Sequence, residues 1–310
     1  MNSKKLIWEE FKMKIGIIGL GDIAQKAYLP LITQMEKVEP YFCTRTESTL
    51  KQLGEKYRVG KLYSSVDDLL KEDLDAAFVH TATQAHYEIA KKLLQEKIST
   101  FVDKPMTYHL EQTEELIKLA EKNGVILMTG FNRRYVPTYR SLVEIEAPKT
   151  IIMEKNRTYQ PGEVRKFIMD DFIHVIDTIS YLLGEVDLDN INVDKIMRDD
   201  KLIQSVLTLK NKENTAVGIM NRDNAITEET VEVMGFKQKK RIKNITQIID
   251  YSDGGQKLSQ TAGWNKMGYD RGFVDMINEF LKRVKVCENN KKEVAADLLT
   301  HRLAEKVINL

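Results

Sequence analysis

Residues 13–24 read Met-Lys-Ile-Gly-Ile-Ile-Gly-Leu-Gly-Asp-Ile-Ala, and this stretch decides the fold. Ile15, Ile17 and Ile18 make the short apolar run expected of a strand buried on both faces of a parallel sheet. Gly19 and Gly21 follow at once, and Asp22-Ile23-Ala24 should open a helix. A tight glycine turn between strand and helix lets backbone N–H groups approach a pyrophosphate, whose charge the helix N-terminus favours. Ala24 stands where a third glycine is usual and is small enough for the helix to pack on the strand. Gly19, Gly21, Asp22 and Ile23 are therefore candidate dinucleotide contacts.

Outward from this turn, the first 130 residues alternate strand and helix patterns. Strands are expected over 14–19, 38–44, 76–81, 100–103 and 125–129, with helices over 23–36, 47–56, 66–71, 85–96 and 110–123. Such alternation implies an α/β fold with a doubly wound parallel sheet and right-handed crossovers. After Gly130 the pattern changes. One helical segment, 163–183, precedes strand-like runs at 189–197, 203–209, 215–220, 231–236 and 245–251, and helices over 269–284 and 294–308 close the chain. This second half reads as an α+β domain on an antiparallel or mixed sheet, joined to the first by a short crossover near Gly130.

A chain of 310 residues fits two domains, and its 42% apolar content supports sizeable cores. The net charge of +1 gives no argument for a nucleic-acid or membrane surface. The basic cluster 237–241 follows Glu228, Glu229 and Glu232 and reads as a solvated strand face. Two distant cysteines, Cys43 and Cys287, suggest neither a disulfide framework nor a metal site and fit a reducing cytoplasm. No apolar secretory core is present, and residues 1–12 read as a leader without assigned function.

Ligands of open parallel sheets bind at the carboxyl edge of the strands. The second strand ends in Cys43-Thr44-Arg45-Thr46. An NAD site usually carries an acid here for the ribose 2′-hydroxyl; Thr44 and Arg45 instead suit a 2′-phosphate, so NADP is expected over NAD. The strand at 100–103 ends in Asp103-Lys104-Pro105, where the proline restricts how Lys104 leaves the strand. A lysine aimed into a partly desolvated cleft can stabilise a substrate oxygen or donate a proton. In the helix over 163–183, Asp170, His174 and Asp177 are spaced by four and three and share one face. His suits proton exchange near neutral pH, and a carboxylate can orient its ring. The trio could also hold a metal, but no further Cys or His is positioned to complete such a site, and none is expected. His80 and His86 flank the loop after a core strand and could approach a cofactor or cap the next helix; His109 and His301 have no evident partners and read as ordinary surface or structural residues.

Together these segments resemble the glucose-fructose oxidoreductase, inositol dehydrogenase and rhizopine catabolism (Gfo/Idh/MocA) family of NAD(P)-dependent oxidoreductases. The resemblance rests on Gly19-x-Gly21-x-x-Ala24, Lys26, Leu29-Pro30, Thr81, His86, Lys104-Pro105, Gly130-Phe131-Asn132-Arg133-Arg134-Tyr135 and Asp170-x3-His174-x2-Asp177. It implies a Rossmann domain over 13–130, with the helix 294–308 packing back on it, and a substrate and oligomerisation domain over 131–290 with an open, mostly antiparallel sheet. It further implies a homodimer or homotetramer. The reaction implied is dehydrogenation or reduction at a CH–OH group of a carbohydrate-like small molecule, with neither nucleic acid nor membrane as partner. Lys104, Asp170 and His174 match the family's catalytic trio, and with Asp177 form the expected substrate set. Thr81, His86, Asp103, Lys104 and Arg133 are expected beside the cofactor.

Three departures bear on specificity: Asp103 where Glu is usual, Ala82-Thr83 where Pro-Asn is usual, and Phe172 where Gly is frequent. A non-catalytic dinucleotide-binding regulator, or an imine or biliverdin-type reductase, are the alternatives on the same architecture. A regulator has no need to keep Lys104, Asp170 and His174 together.

Overall fold

The computed structural model describes residues 12–146, 149–261, 267–288 and 290–310. The expected leader, 1–12, lies outside them apart from Lys12. Strands β1 (Met13–Ile18), β2 (Val38–Cys43), β3 (Leu62–Tyr63), β4 (Ala76–Val79), β5 (Ser99–Val102) and β6 (Leu127–Thr129) form one parallel sheet in the order β3-β2-β1-β4-β5-β6. The chain winds outward from β1 in one direction and then resumes on its other side at β4. The direction thus reverses between β1 and β4, where a crevice opens at the carboxyl ends of the strands.

Both faces of this sheet are covered. Ile15, Ile17, Phe78 and Phe101 pack in one cluster with Met276, Ile277 and Phe280 of the helix Phe273–Val286. Ile18, Val79 and Val102 pack on the other side with Leu93 and Leu116 of the helices His86–Gln95 and Leu110–Asn123. The helix Phe273–Val286 follows the second sheet in sequence, yet it packs against the first. Phe280 sets its ring 5.1 Å from that of Phe78.

The second sheet contains β7 (Thr150–Asn156), β8 (Asn192–Arg198), β9 (Lys201–Lys210), β10 (Thr215–Asn221), β11 (Glu228–Gly235), β12 (Gln238–Lys243), β13 (Gln247–Ser252) and β14 (Gly255–Gln260). Their order is β14-β13-β12-β11-β7-β10-β9-β8. Every pairing is antiparallel except that of β7 with β10. This is the α/β-plus-open-sheet architecture expected from the sequence. The basic cluster falls on β12, where Arg241 reaches Glu232 at 2.6 Å and Lys240 reaches Asp250 at 3.4 Å across the strands.

Three strands of this sheet, β7, β12 and β14, have no counterpart among the sequence expectations, nor does the two-residue β3. Polar residues inside β7 and β12 break the apolar alternation by which strands are read. The helical segment after β7 begins where the Glu163 carboxylate accepts the amides of Arg165 and Lys166, both at 2.9 Å. It runs to Leu183 and contains a π-helical turn over Ile168–Phe172. A second π-turn, Ala24–Tyr28, lies in the helix after the glycine turn. Such turns insert a residue and re-aim side chains, and they recur at functional sites. The last helix, Lys291–Asn309, bridges the halves: Leu303, Ala304 and Val307 join the core under the second sheet, while Val294 and Leu298 pack on the first.

Candidate active site

The glycine turn is built as its sequence requires. Gly19 has φ 89°, and a Cβ there would lie 2.6 Å from the Thr81 amide nitrogen, so the backbone of the β4 end comes too close for any other residue. A Cβ at Gly21 would meet nothing within 4 Å, so the backbone is bare where the turn faces the crevice. The crevice measures about 660 Å3 and is bordered by Gly19, Gly21, Thr44, Arg45 and Thr81. No side chain caps the helix that starts there. Open amides at a helix start, beside a bare glycine, fit the pyrophosphate of a dinucleotide. Thr81 presents a buried hydroxyl with no partner among the described residues.

A second cavity, of about 330 Å3, is lined by Ile23, Asp103, Lys104, Arg133 and His174 among others. Lys104 and His174 come to it from different halves. Lys104 leaves the end of β5, and its Nζ donates to the backbone carbonyl of Asp170 at 2.5 Å. His174 stands one turn further along the same helical segment. Burial lowers the Lys104 pKa, with the charges of Asp103 and Asp171 opposing. Burial also holds His174 well below its usual value, and the positive charges of Arg133, Lys155 and Lys104 deepen the shift. The ring is therefore a neutral imidazole at neutral pH, able to accept a proton.

The other expected residues divide between the two cavities and their supports. Arg45 and Thr44 face the first cavity; Asp103 and Arg133 face the second. The Asp103 carboxylate also accepts the Lys104 amide at 2.8 Å. Asp22 lines neither cavity; at the helix start its side chain is exposed and paired with Lys26 at 2.8 Å. His86 is behind the wall: its ring nitrogens lie 3.0 Å from the carbonyls of Thr81 and Pro105, so it ties the β4 loop to the lysine turn. Asp170 does not bond to the His174 ring. Its carboxylate accepts the Tyr108 hydroxyl at 2.7 Å, because the π-turn directs it toward the β5 loop.

Asp177 lines neither cavity. It is buried and takes two bonds from the Arg134 guanidinium, with Nε at 3.0 Å and Nη2 at 2.5 Å. Thr300 adds a third donor at 3.0 Å. Arg134 also reaches Asp297, whose second oxygen accepts the Thr129 amide, so this cluster joins β6, the π-turn helix and the last helix. Among the described residues, no group of three His, Cys, Asp or Glu side chains could hold a metal ion.

Apart from Arg133, sequence reasoning missed the charged wall behind the second cavity. Lys155 of β7 pairs with Asp171, which also accepts Arg157 at 3.0 Å and Arg222 at 3.1 Å. Arg133 grips Glu229 through Nε at 2.8 Å and Nη2 at 2.5 Å, and Tyr139 donates to the same carboxylate at 2.6 Å. Although burial raises Glu229, Arg133 holds its pKa down at about 2. The tandem Asp170-Asp171 was the one signal in the sequence, since two acids inside an apolar helix need cationic partners.

A glycine-turn crevice, with a Lys–His cavity next to it along the start of the chain's first helix, is the arrangement of an oxidoreductase with a separate substrate half. Residues 13–131 match the family model for oxidoreductases with an NAD-binding Rossmann fold, and residues 137–251 match the YceM-like C-terminal domain. The crystal structure of a Gfo/Idh/MocA family oxidoreductase from Vibrio cholerae superposes with a TM-score of 0.92 at 32% identity, covering 96% of this chain and 97% of that one. The chain belongs to the Gfo/Idh/MocA family of oxidoreductases. The putative oxidoreductase YceM of Salmonella typhimurium is 36% identical over 177 residues, spanning 56% of this chain and 57% of that protein. Myo-inositol 2-dehydrogenase of Thermotoga maritima is 23% identical over 297 residues, covering 88% of each. No helix among the described residues is long and apolar enough to cross a membrane.

Proposed function

We propose that this protein exchanges a hydride between NADP and the carbon bearing a secondary hydroxyl, or the matching carbonyl, of a sugar, cyclitol or similar compound. The observation that carries this reading is that Lys104 and His174 line one cavity beside the glycine turn. A bound nicotinamide supplies the hydride acceptor or donor. Gly19, Gly21 and Ile23 would hold the dinucleotide, with Thr44 and Arg45 at its ribose end. The neutral His174 ring takes the hydroxyl proton during oxidation and returns it during reduction. Lys104 spends one donor on the Asp170 carbonyl and keeps the others for the substrate oxygen, whose negative charge it stabilises. Asp170 acts by holding Lys104 and Tyr108 in place.

Preference for NADP rests on Arg45, which is exposed at the crevice edge; residues 43–46 at the β2 end hold no acid, and Asp67 on the same crevice is paired with Lys92 at 2.6 Å. We take residues 13–130, joined by the helix Phe273–Val286 that packs on their sheet, as the nucleotide half and the rest of 131–290 as the substrate half. Half-buried Ile152, Val217, Ile219 and Met234 on the uncovered face of the second sheet support self-association there. The unpaired Cys43 and Cys287 suit a reducing cytoplasm. A screen of sugars and cyclitols with both cofactors, followed by nicotinamide absorbance, tests the reading. Reduction by the intact protein and its loss in the Lys104→Ala and His174→Ala variants would support it.

A further inference from the structure

The wall of the second cavity carries far more positive charge than an alkoxide needs. Lys104, Arg133, Lys155, Arg157 and Arg271 all line it, whereas Asp103 is its one acidic lining residue among those described. The carboxylates behind the wall do not balance this. Asp171 is a single acid shared by Lys155, Arg157 and Arg222. Glu229 is taken up by Arg133 and Tyr139. Lys104 hydrogen-bonds only to a backbone carbonyl, with Asp103, Asp171 and Asp170 acting on its charge from further off, and Arg271 has no carboxylate partner among the described residues. The guanidinium forks also leave donors unused: Arg133 bonds through Nε and Nη2, and Arg157 through Nε and Nη2, so each retains Nη1.

Burial and like charge act together on one lysine of this wall. Lys155 has its pKa lowered to about 7, first by burial and then by the repulsion of Arg133, despite its contact with Asp171. Buried like charges at this density are costly unless an anion joins them. The dinucleotide's own phosphates do not answer the need, because the glycine turn faces the other cavity. A further pocket of about 230 Å3 continues from this wall past Arg133, Lys155, Arg157 and Arg271 to Thr227 and Asn244, with Glu228 and Glu229 at its side. It gives room for a substituent beyond the reacting carbon.

We infer that the substrate of this site is anionic: a hydroxy compound carrying a carboxylate or phosphate, held by Arg133, Lys155, Arg157 and Arg271 while Lys104 and His174 face its hydroxyl. Planar forks bind such oxyanions through paired N–H donors, which neutral sugars cannot match. The inference rests on the oxidoreductase reading for the identity of the reacting carbon, and on the charge of the wall for the anion.

Calorimetric titration of the full chain, with NADP+ present, separates the two. The probes are glucuronate against glucuronamide, and glucose 6-phosphate against glucose; the first pair reports a carboxylate and the second a phosphate. At least one anion should bind about tenfold more tightly than its neutral partner, since charge-assisted bonds replace neutral ones. The preference should shrink as salt is raised. It should also fall severalfold in Arg271→Gln, a change at an exposed residue that leaves the buried pairs intact. Equal affinity within both pairs, no binding of either anion, or a preference untouched by Arg271→Gln would overturn the inference. Anion preference without nicotinamide reduction on any hydroxyl compound would sustain it and remove the reading beneath. Turnover of neutral sugars without anion preference would do the reverse.

Discussion

Lys104 Nζ and the Asp170 carbonyl meet at 2.5 Å, joining the end of a parallel strand in the first half to a π-turn in the second. That contact fixes the lysine against the helix that delivers His174, so the relation between the two halves sets the reacting geometry. Neither residue reaches the cavity by local structure alone.

Replacing Lys104 or His174 with Ala should lower kcat roughly 10²–10⁴-fold, the range for a positioned acid–base group. Cofactor affinity should change little, because the glycine turn is untouched. Steady-state rates beside fluorescence titration of the reduced cofactor make the check. A loss confined to cofactor affinity would contradict both assignments.

The pH profile follows from the two perturbed groups. His174 lies well below 6.5, so the proton-accepting form persists through neutrality and activity should fall only in more acidic solution. Lys104 is lowered from 10.5, so its cation is lost, and the rate declines, before the ordinary lysine range is reached. The profile of kcat should therefore be flat near neutrality, while kcat/KM for an anionic substrate should also fall as pH rises through about 7, where Lys155 loses its proton. An acid limb above 6.5 would count against His174 as the proton acceptor.

The Arg134–Asp177–Asp297 cluster is structural, and its loss should be felt in stability. Removing one partner of a buried ion pair costs about 3–5 kcal/mol. Asp177→Ala leaves Arg134 with Asp297 alone, so the lower end is expected. Denaturant unfolding measures this; an unchanged midpoint would contradict it.

His301 gives a separate acid sensitivity. Its Nε2 accepts the Met106 amide at 3.0 Å, and its Nδ1 donates to the Asp297 carbonyl at 2.7 Å, an arrangement that needs the neutral ring. Burial, opposed by the Asp297 bond, lowers its pKa to about 4. The unfolded chain gains a proton near 6.5 while the folded one resists until about 4. Stability is thus complete above 6.5 and drains as pH falls between those values, by about 3 kcal/mol in all. In unfolding curves at stepped pH, His301→Gln should show a shallower acid decline.

Arg45→Ala should weaken NADP more than NAD, and titration of both cofactors tests it. Unaltered preference would remove the basis for NADP.

Much of the first half is legible because local signals agree with the fold. The run Ile15–Ile18 and the glycines at 19 and 21 require both a buried parallel strand and a bare turn. The helix over 110–123 can be read to the residue, since its apolar stripe ends at Gly124 in a left-handed conformation. The second half hides more. Lys155 lies inside β7 and is buried by a partner on the helix that follows, so the strand carries a charge where alternation predicts an apolar residue. The helical spacing of Asp170, His174 and Asp177 suggests one shared face. The π-turn and the pull of Arg134 divide them among Tyr108, the cavity and the inter-half cluster. Such pairings depend on contacts across long sequence separations, which periodicity does not record.

The central claim is most directly tested by mixing the full chain with NADP+ and a panel of hydroxy compounds, neutral and anionic, and following nicotinamide reduction in the intact protein and in His174→Ala. Reduction by the intact protein on at least one compound, with a rate roughly 10²–10⁴-fold lower in the variant, is the predicted result. Tight NADP binding with no reduction on any compound, or equal rates in the two proteins, would contradict it.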